Sequence, residues 1–265
     1  MAYVVVPGSN DTLEYDNAAT ASLYTDSAVG ANSVMNTNLL SDSVDLNSSF
    51  PNQFRVTITA NAGESPFGTN NATLMAGNAD TNTKVLFKFG FNTPSVGDVQ
   101  SFSVFVKNSD AGTGSTFQLE IGNSAQRANV RFNMATGARD GFTTSSEVSH
   151  TSSTITDFGN GWYRCTLTVT YESGWNKPNT NIGMQLNDTT ANDPGVFLYG
   201  AQIEAGATVT PYLETAGTAI SGGVRTYDKP GTTKTKPLQT YIRTRKAGET
   251  IERGELSKTY YDGQI

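Results

Sequence analysis

The sequence contains one cysteine, Cys165, and one histidine, His150, among 265 residues. A single cysteine cannot form a disulfide within the chain, which fits folding in a reducing compartment. The one His and the one Cys together are fewer than the three or four ligands of most zinc sites. A serine-histidine-aspartate triad would have only His150 as its base. The composition therefore excludes zinc sites and disulfide-stapled modules, and it disfavours triad hydrolases.

Charge and long apolar runs are also scarce. Charged residues make up 16% of the chain, which disfavours coiled coils and ion-paired helical bundles. No stretch approaches the roughly 18 consecutive apolar residues of a membrane-spanning helix. Residues 1–10 have no basic segment before their short apolar run, so we expect neither a signal peptide nor membrane insertion.

The net charge of −6 hides an uneven distribution. Residues 1–218 carry nine Lys and Arg against nineteen Asp and Glu, whereas residues 219–265 carry nine against five. An acidic body repels phosphate backbones, so we expect no nucleic-acid partner. The basic C-terminal segment is interpreted either as a docking segment for an acidic partner, such as a neighbouring copy, or as a solvated extension.

What the chain does have is short segments of alternating polarity between turn signals. The 26 Gly residues disfavour long helices, and 13 Phe and 11 Tyr supply apolar surface for a core. These features predict an all-β, antiparallel two-sheet sandwich of the jelly-roll type, rather than an up-and-down barrel. The expected strands are Phe54–Ala60, Val85–Phe91, Phe102–Lys107, Phe117–Gly122, Val130–Met134, Tyr163–Tyr171, Ile182–Leu186 and Val196–Glu204.

The segment Tyr163–Tyr171 is the clearest of these strands. Its odd-numbered residues form an apolar face that includes Cys165, and Arg164 and three threonines form the other face. Cys165 is therefore interpreted as a buried structural thiol rather than a nucleophile.

Carboxylates are the remaining source of chemistry. A glycosidase needs two of them flanking a cleft, but most of the acids lie in expected loops, so we predict no enzyme activity and no catalytic residue. The loop 187–194 brings Asp188 and Asp193 close to two asparagines, and oxygen donors of this kind suit calcium. A turn rich in Asx residues is the alternative interpretation, and no other cofactor is expected.

Two segments are far more specific. The first is Asp157-Phe-Gly-Asn-Gly-Trp-Tyr-Arg-Cys-Thr, and the second is Gly195-Val-Phe-Leu-Tyr-Gly-Ala-Gln-Ile-Glu-Ala-Gly followed by Thr210-Pro-Tyr-Leu-Glu-Thr. Together they resemble the carbohydrate-binding-module-like jelly-roll domains of tailed-bacteriophage structural proteins, especially tail fibres and other virion surface proteins. Weaker similarity upstream extends the resemblance over about residues 37–218. The expected organisation is an N-terminal arm (1–36), this domain (37–218) and a basic C-terminal arm or small hairpin (219–265).

The motifs also have a structural interpretation. Asn160-Gly161 is a tight-turn dipeptide, and Gln202 and Glu204 share a strand face from which we expect them to hydrogen-bond loop backbone. The motif residues assigned a structural role are Trp162, Tyr163, Arg164, Gln202, Glu204 and Tyr212.

Sugar binding requires an exposed aromatic plane with amide or carboxylate partners. Trp175 lies in a loop flanked by Gly and Pro, so it is the predicted glycan contact, accompanied by Tyr171, Asn176 and Asn179. The alternative is that Trp175 folds back over a sheet edge or fills a subunit contact.

The resemblance implies a bacteriophage virion protein exposed on the particle surface. It would be a short tail fibre, a fibre-associated protein or a capsid decoration or adaptor protein. The expected partners are other virion proteins, two further copies in a homotrimer held by the arms, and a host surface glycan. The alternative function is a stand-alone bacterial carbohydrate-binding module.

The charge asymmetry generates a first prediction. Deleting residues 219–265 should convert a stable oligomer into a monomer, because it removes the basic segment expected to dock on an acidic neighbour. Light scattering of the full and shortened chains measures the mass directly. Equal masses for the two chains would assign no assembly role to this segment.

Overall fold

The computed structural model describes residues 2–5, 13–14, 36–109, 116–186, 191–224 and 241–242. Within these ranges the chain is almost entirely β-structure with one short helix, α1 (Leu46–Ser49). The strands are β1 (Ala2–Val5), β2 (Leu13–Glu14), β3 (Asn36–Asn38), β4 (Asn52–Phe54), β5 (Val56–Gly63), β6 (Ala72–Gly77), β7 (Lys84–Lys88), β8 (Val99–Asn108), β9 (Thr116–Asn123), β10 (Gln126–Asn133), β11 (Ala138–Thr144), β12 (Val148–Gly159), β13 (Trp162–Tyr171), β14 (Asn181–Leu186), β15 (Val196–Ala205), β16 (Ile220–Val224) and β17 (Tyr241–Ile242).

Two six-stranded antiparallel sheets pack face to face. Sheet I has the order β11-β10-β9-β14-β7-β4, and sheet II has the order β12-β13-β8-β15-β6-β5. The predicted all-β two-sheet sandwich is therefore confirmed. Four antiparallel pairs are nested within it, from β9 with β10 outward through β8 with β13 and β7 with β14 to β6 with β15. These pairs lie alternately in sheet I and sheet II.

The sandwich has twelve strands, whereas the sequence pattern indicated eight or nine, eight of them with assigned bounds. The expected strand Phe54–Ala60 is split, because Arg55 has a positive φ of 59° and turns the chain from β4 in sheet I to β5 in sheet II. The other three additions are β6, β11 and β12. In the latter two, most residues are exposed or half-buried, so they lack the apolar alternation that marks a half-buried strand.

The expected arms, 1–36 and 219–265, lie largely outside the described residues. Of their described parts, β1 pairs with β2 and β17 in a three-stranded sheet. The strand β16 pairs with β3 at the start of the expected domain.

The main core lies between the two sheets and follows the period-two pattern. Phe102, Leu119 and Met184 are fully buried in it, and Tyr163 packs against it from a partly exposed position. Cys165 is fully buried there, and this burial raises the pKa of its thiol well above the ordinary value. The predicted face of β13 and its structural thiol are thus confirmed.

A second cluster covers the outer face of sheet II. Phe105 of β8, Trp162 of β13 and Tyr199 of β15 point away from the main core and pack with Tyr212 and Phe67. The Phe67 ring stacks on Tyr212 at a centroid separation of 5.9 Å. Trp162 follows the hairpin turn at Asn160-Gly161, where both φ angles are positive, as a two-residue hairpin requires. Trp162 therefore belongs to the layer outside sheet II and not to the core between the sheets.

Buried hydrogen bonds hold the return segment 206–215 on the same face. Gln202 accepts a bond from the Leu213 amide at 2.7 Å and donates to the Thr210 hydroxyl at 3.1 Å. Glu204 accepts from the Thr210 amide at 3.1 Å, and Arg164 donates to the Thr210 carbonyl at 2.8 Å. These motif side chains therefore hold the return segment against the outer face of sheet II.

Asn38 fixes the other side of this layer. Its side-chain amide donates to the carbonyls of Ala201 at 3.1 Å and Leu213 at 3.0 Å, and its oxygen accepts from the Ile203 amide at 3.2 Å. One fully buried side chain thus joins the beginning of the domain, β15 and the return segment.

The core assignment predicts a large difference between two phenylalanines. Phe102→Ala should lower the free energy of unfolding by about 3–5 kcal/mol, because it opens a cavity in a fully buried site. The matched control Phe142→Ala removes the same atoms from a ring that is 45% exposed, so it should cost far less. Urea unfolding midpoints measure both, and equal losses would contradict the core assignment.

Candidate functional site

The predicted glycan aromatics are buried. Trp175 is only 8% exposed and Tyr171 is fully buried, and their rings meet edge to face at 4.8 Å within the main core. The prediction that Trp175 is presented on its loop is therefore wrong. A turn in which the Trp175 amide bonds the Glu172 carbonyl at 2.9 Å folds the indole back over the end of the sandwich. Neither ring offers a plane to a sugar.

The two predicted amides do not form a site either. Asn176 is exposed, and its backbone amide donates to the Gln126 side chain at 3.3 Å. Asn179 is half-buried, and its side-chain and backbone oxygens both accept from Asn123 at 3.0 Å. Without an aromatic plane beside them, these amides belong to the loop structure.

The predicted calcium ligands are only partly described. Asp188 lies outside the described residues. Asp193 is 1% exposed and accepts a hydrogen bond from the Gly195 amide at 2.7 Å, as expected for an Asx-type turn. The described ranges contain no group of three or more His, Cys, Asp or Glu side chains suited to a metal ion.

A small cleft lies at the end of the sandwich, beside the start of β8 and the end of β15. It encloses about 370 Å³, and its lining includes Asp98, Gln100 and Tyr171. Asp98 accepts from the Ser95 amide at 2.7 Å, and the Tyr171 hydroxyl lies 2.6 Å from the Gln100 side-chain oxygen. Its polar groups therefore already bond one another or nearby backbone.

The outer face of sheet I is a stronger candidate, because no second cluster of described residues covers it. Strand register aligns its side chains in two rows that run across the strands. The first row, from β10 to β4, is Asn129, Glu120, Gly183, Phe87 and Asn52. The second row, from β11 to β4, is Gly141, Arg131, Gln118, Gln185, Val85 and Phe54. We call this surface the sheet I face.

One end of the sheet I face is aromatic. Phe54 is 45% and Phe89 48% exposed. Phe89 stacks on Phe87 with centroids 5.5 Å apart and meets Phe54 at 6.2 Å. Gly183 makes room for this cluster, because a Cβ there would lie 2.0 Å from the Phe87 ring. The result is an exposed apolar platform at the β7 and β4 end of the sheet.

The centre of the face is polar and partly withdrawn from water. Glu120 is 5% exposed, and it accepts a hydrogen bond from the Gln185 amide at 2.8 Å. Arg127 lies 3.7 Å from the same carboxylate oxygen. Burial raises the pKa of Glu120, and the charge of Arg127 and the bond from Gln185 oppose that rise without cancelling it. Gln118 beside them is 8% exposed.

The third part of the face is cationic. Arg131 is half-buried, and one of its terminal nitrogens lies 3.7 Å from where a Cβ on Gly141 would stand. Asn129 on the same strand accepts from the Thr143 hydroxyl at 2.7 Å. The face thus runs from a guanidinium through amides and a carboxylate to an aromatic platform.

This arrangement suits a ligand with both an apolar surface and many hydroxyls. Aromatic rings contact apolar patches of a ligand, while amides and a carboxylate accept or donate hydrogen bonds at fixed positions. Strands lie about 4.8 Å apart, so the distance from β10 to β7 is roughly 14 Å, which exceeds one sugar ring.

Sequence reasoning missed this site. Val85, Phe87 and Phe89 read as one apolar strand face, which ordinarily points into a core. The available signal was the opposite face of the same strand, where Leu86 lies between two lysines. With an apolar residue on both faces, the alternation alone does not say which face is buried.

No family model matches the chain, and no curated protein matches its sequence. In the described part of the chain, no helix is long and apolar enough to cross a membrane. The resemblance of the two motifs therefore stays a prediction, and the sheet I face is defined by its own residues.

The raised pKa of Glu120 predicts a pH-dependent effect of Glu120→Gln. A carboxyl whose folded pKa is raised stabilises the native state least when it is ionised, so its contribution falls as pH rises from about 4.3 through the folded pKa. The variant has no ionisable group at this position, so its free energy of unfolding lacks this decrease. Its free energy of unfolding relative to the unmodified protein should therefore increase between pH 4 and pH 7.

Urea titrations at several pH values measure this difference. Glu147→Gln is the control, because the pKa of Glu147 is lowered and its difference should change in the opposite direction. A flat difference for Glu120→Gln would show that the carboxylate is not desolvated on the sheet I face.

Proposed function

We propose that this chain is a non-enzymatic structural protein of a tailed-bacteriophage virion, exposed on the particle surface, which binds glycans through the sheet I face. The observation that carries the proposal is the exposed Phe54 and Phe89 platform beside the Glu120, Gln185 and Gln118 side chains. Exposed apolar clusters rimmed by polar groups mark binding surfaces. The platform and its polar neighbours provide the aromatic plane and hydrogen-bonding partners that sugar recognition requires.

The strand pairing supports the jelly-roll part of the resemblance. Nested antiparallel pairs that alternate between two sheets are what results when a long hairpin is wound into a double-sheet jelly roll. In this interpretation β4 and β5 extend the two sheets at one edge, and β11 and β12 extend them at the other.

The positions of the motif residues support a structural role for the outer face of sheet II and ligand binding on sheet I. Trp162, Gln202 and Tyr212 are nearly or fully buried in the layer outside sheet II. A ligand would have to displace this layer to reach sheet II, whereas no such layer of described residues lies over the sheet I face and Phe54 and Phe89 are exposed there. Glycan binding is therefore assigned to sheet I.

The proposed assembly is that of a short tail fibre, a fibre-associated protein or a capsid decoration or adaptor protein. Its partners would be other virion proteins and two further copies in a homotrimer. A stand-alone bacterial carbohydrate-binding module would use the same face. The two functions differ in whether the chain is present in particles and whether it forms oligomers.

Proteomics of purified particles tests the virion assignment. The chain should be recovered at a fixed ratio to the major structural proteins after the particles have been purified on a density gradient. Particles that lack it would refute the virion proposal and favour the bacterial module.

Glycan binding is tested at the platform. Phe89→Ala should weaken binding to any glycan that the protein recognises by about tenfold or more, since exposed aromatic contacts act as binding hot spots. Phe142→Ala is the matched control, because Phe142 is equally exposed but lies at the sandwich edge against His150. Array binding and calorimetry with both variants measure the effect. Equal affinities for the two variants would remove the platform from the site.

A further inference from the structure

We infer that the glycan bound by the sheet I face is acidic, and that its carboxylate binds at Arg131. This inference rests on the proposed function, because it names the ligand class of the same face. Two side chains with unused hydrogen-bonding capacity carry it, Arg131 and Gln118.

Arg131 is a cation of the sheet I face that has no partner among the described residues. Other arginines have partners within the described residues: Arg55 pairs with Asp80 at 3.1 Å, Arg127 lies near Glu120, and Arg139 donates to Ser153 at 3.2 Å. Arg131 has no hydrogen bond or ion pair with any described residue. A guanidinium presents a planar set of donors that matches a carboxylate in two parallel bonds.

Arg131 lies next to Gln118 on the sheet I face. Its side chain is half-buried, and one terminal nitrogen is 3.7 Å from where a Cβ on Gly141 would stand. Strand register places Gln118 beside it on the next strand.

Gln118 provides the second, independent observation. The residue is 8% exposed, and its amide makes no hydrogen bond to any described residue. The amide atoms are not among the enclosed polar atoms that lack a partner, so they reach the surface of the face and can bond a ligand there. An amide can donate to a ring or carboxylate oxygen and accept from a hydroxyl.

Glu120 restricts where the charge of the ligand can lie. Its carboxylate occupies the neighbouring row and repels an anion placed at the centre of the face, although Arg127 partly offsets that charge. Ligand hydroxyls can donate to Glu120, so the centre of the face accepts a neutral part of the ligand. The acidic group of the ligand then belongs at the Arg131 end, and the apolar side of another of its sugar rings belongs on the platform of Phe54, Phe87 and Phe89.

The ligand class that fits is an oligosaccharide containing a uronic-acid-type sugar. It would lie across the strands, with its carboxylate at Arg131 on β10 and a ring about three strand spacings away on β7.

The test uses oligosaccharides of hyaluronan, alginate and polygalacturonate, each together with its carboxyl methyl ester. The ester keeps the sugar chain and removes the charge. We expect at least one acid to bind, and its ester to bind at least tenfold more weakly.

Arg131→Gln should reduce binding of the acid to the level of the ester and should leave ester binding unchanged, because the two changes remove the same interaction. Arg131→Lys should give an intermediate loss, since it keeps the charge without the two parallel bonds. Arg139→Gln is the matched control and should bind as the unmodified protein does. Urea midpoints confirm that each variant is folded.

Two outcomes overturn the inference and leave the proposed function standing. One is equal affinity for the acids and their esters. The other is binding of neutral glycans alone on an array, with Phe89→Ala weakening that binding. Absence of binding to every acidic and neutral glycan refutes both the inference and the proposed glycan function.

Discussion

The fold depends on buried side-chain hydrogen bonds that hold the return segment 206–215 against the outer face of sheet II. Asn38, Gln202 and Glu204 satisfy the backbone of segments that would otherwise place unpaired amides and carbonyls against a strand. Because these bonds hold the return segment in place, the aromatic layer of Phe105, Trp162 and Tyr212 can form on it. Strand β15 is consequently buried on both sides over most of its length, and it can pair with β6 and β8 in the middle of the sheet.

Because the return segment covers sheet II, the outer faces of the two sheets are chemically different. Sheet II carries Gln202 and Glu204 on its outer face beneath the return segment, where burial raises the pKa of Glu204 and bonds from Thr210 only partly oppose the rise. Sheet I carries Glu120 and Gln118, which are 5% and 8% exposed, on an outer face that no second hydrophobic cluster of described residues covers, and burial raises the pKa of Glu120 there as well. Both carboxylates are desolvated, but Glu204 accepts bonds from both the amide and the hydroxyl of Thr210, while Glu120 accepts one from Gln185. Remaining acceptor capacity in a partly dry site is what a ligand hydroxyl can use.

The sequence was informative where alternation and turn chemistry agreed. Residues 163–171 have one apolar and one polar face, and Asn160-Gly161 before them needs positive φ, so strand, face and hairpin were all predictable. The loop of Trp175 was misleading, since Gly and Pro neighbours indicate a turn but do not say which way the turn directs the indole. The splitting of Phe54–Ala60 depends on a positive φ at Arg55, a residue type that gives no warning of it. The sheet I face was hidden because its members come from six strands, and only the register places Arg131, Gln118 and Gln185 in one row.

The orientation of β7 connects these observations. Its alternation places Leu86 in the main core with Lys84 and Lys88 on the same side, and it leaves Phe87 on the outside with Phe89 beyond the strand end. Lys88 is accommodated because its ammonium donates to the Ser49 carbonyl at 3.3 Å, at the end of α1. Exposing two phenylalanines while turning lysines inward runs against the burial preference of both residue types. Gly183 on the neighbouring strand leaves room for the Phe87 ring, on which Phe89 stacks, and Phe54 meets Phe89 at an angle of 48°. The exposed rings therefore form an apolar surface with polar side chains beside it, and the glycan proposed for the sheet I face would cover this surface.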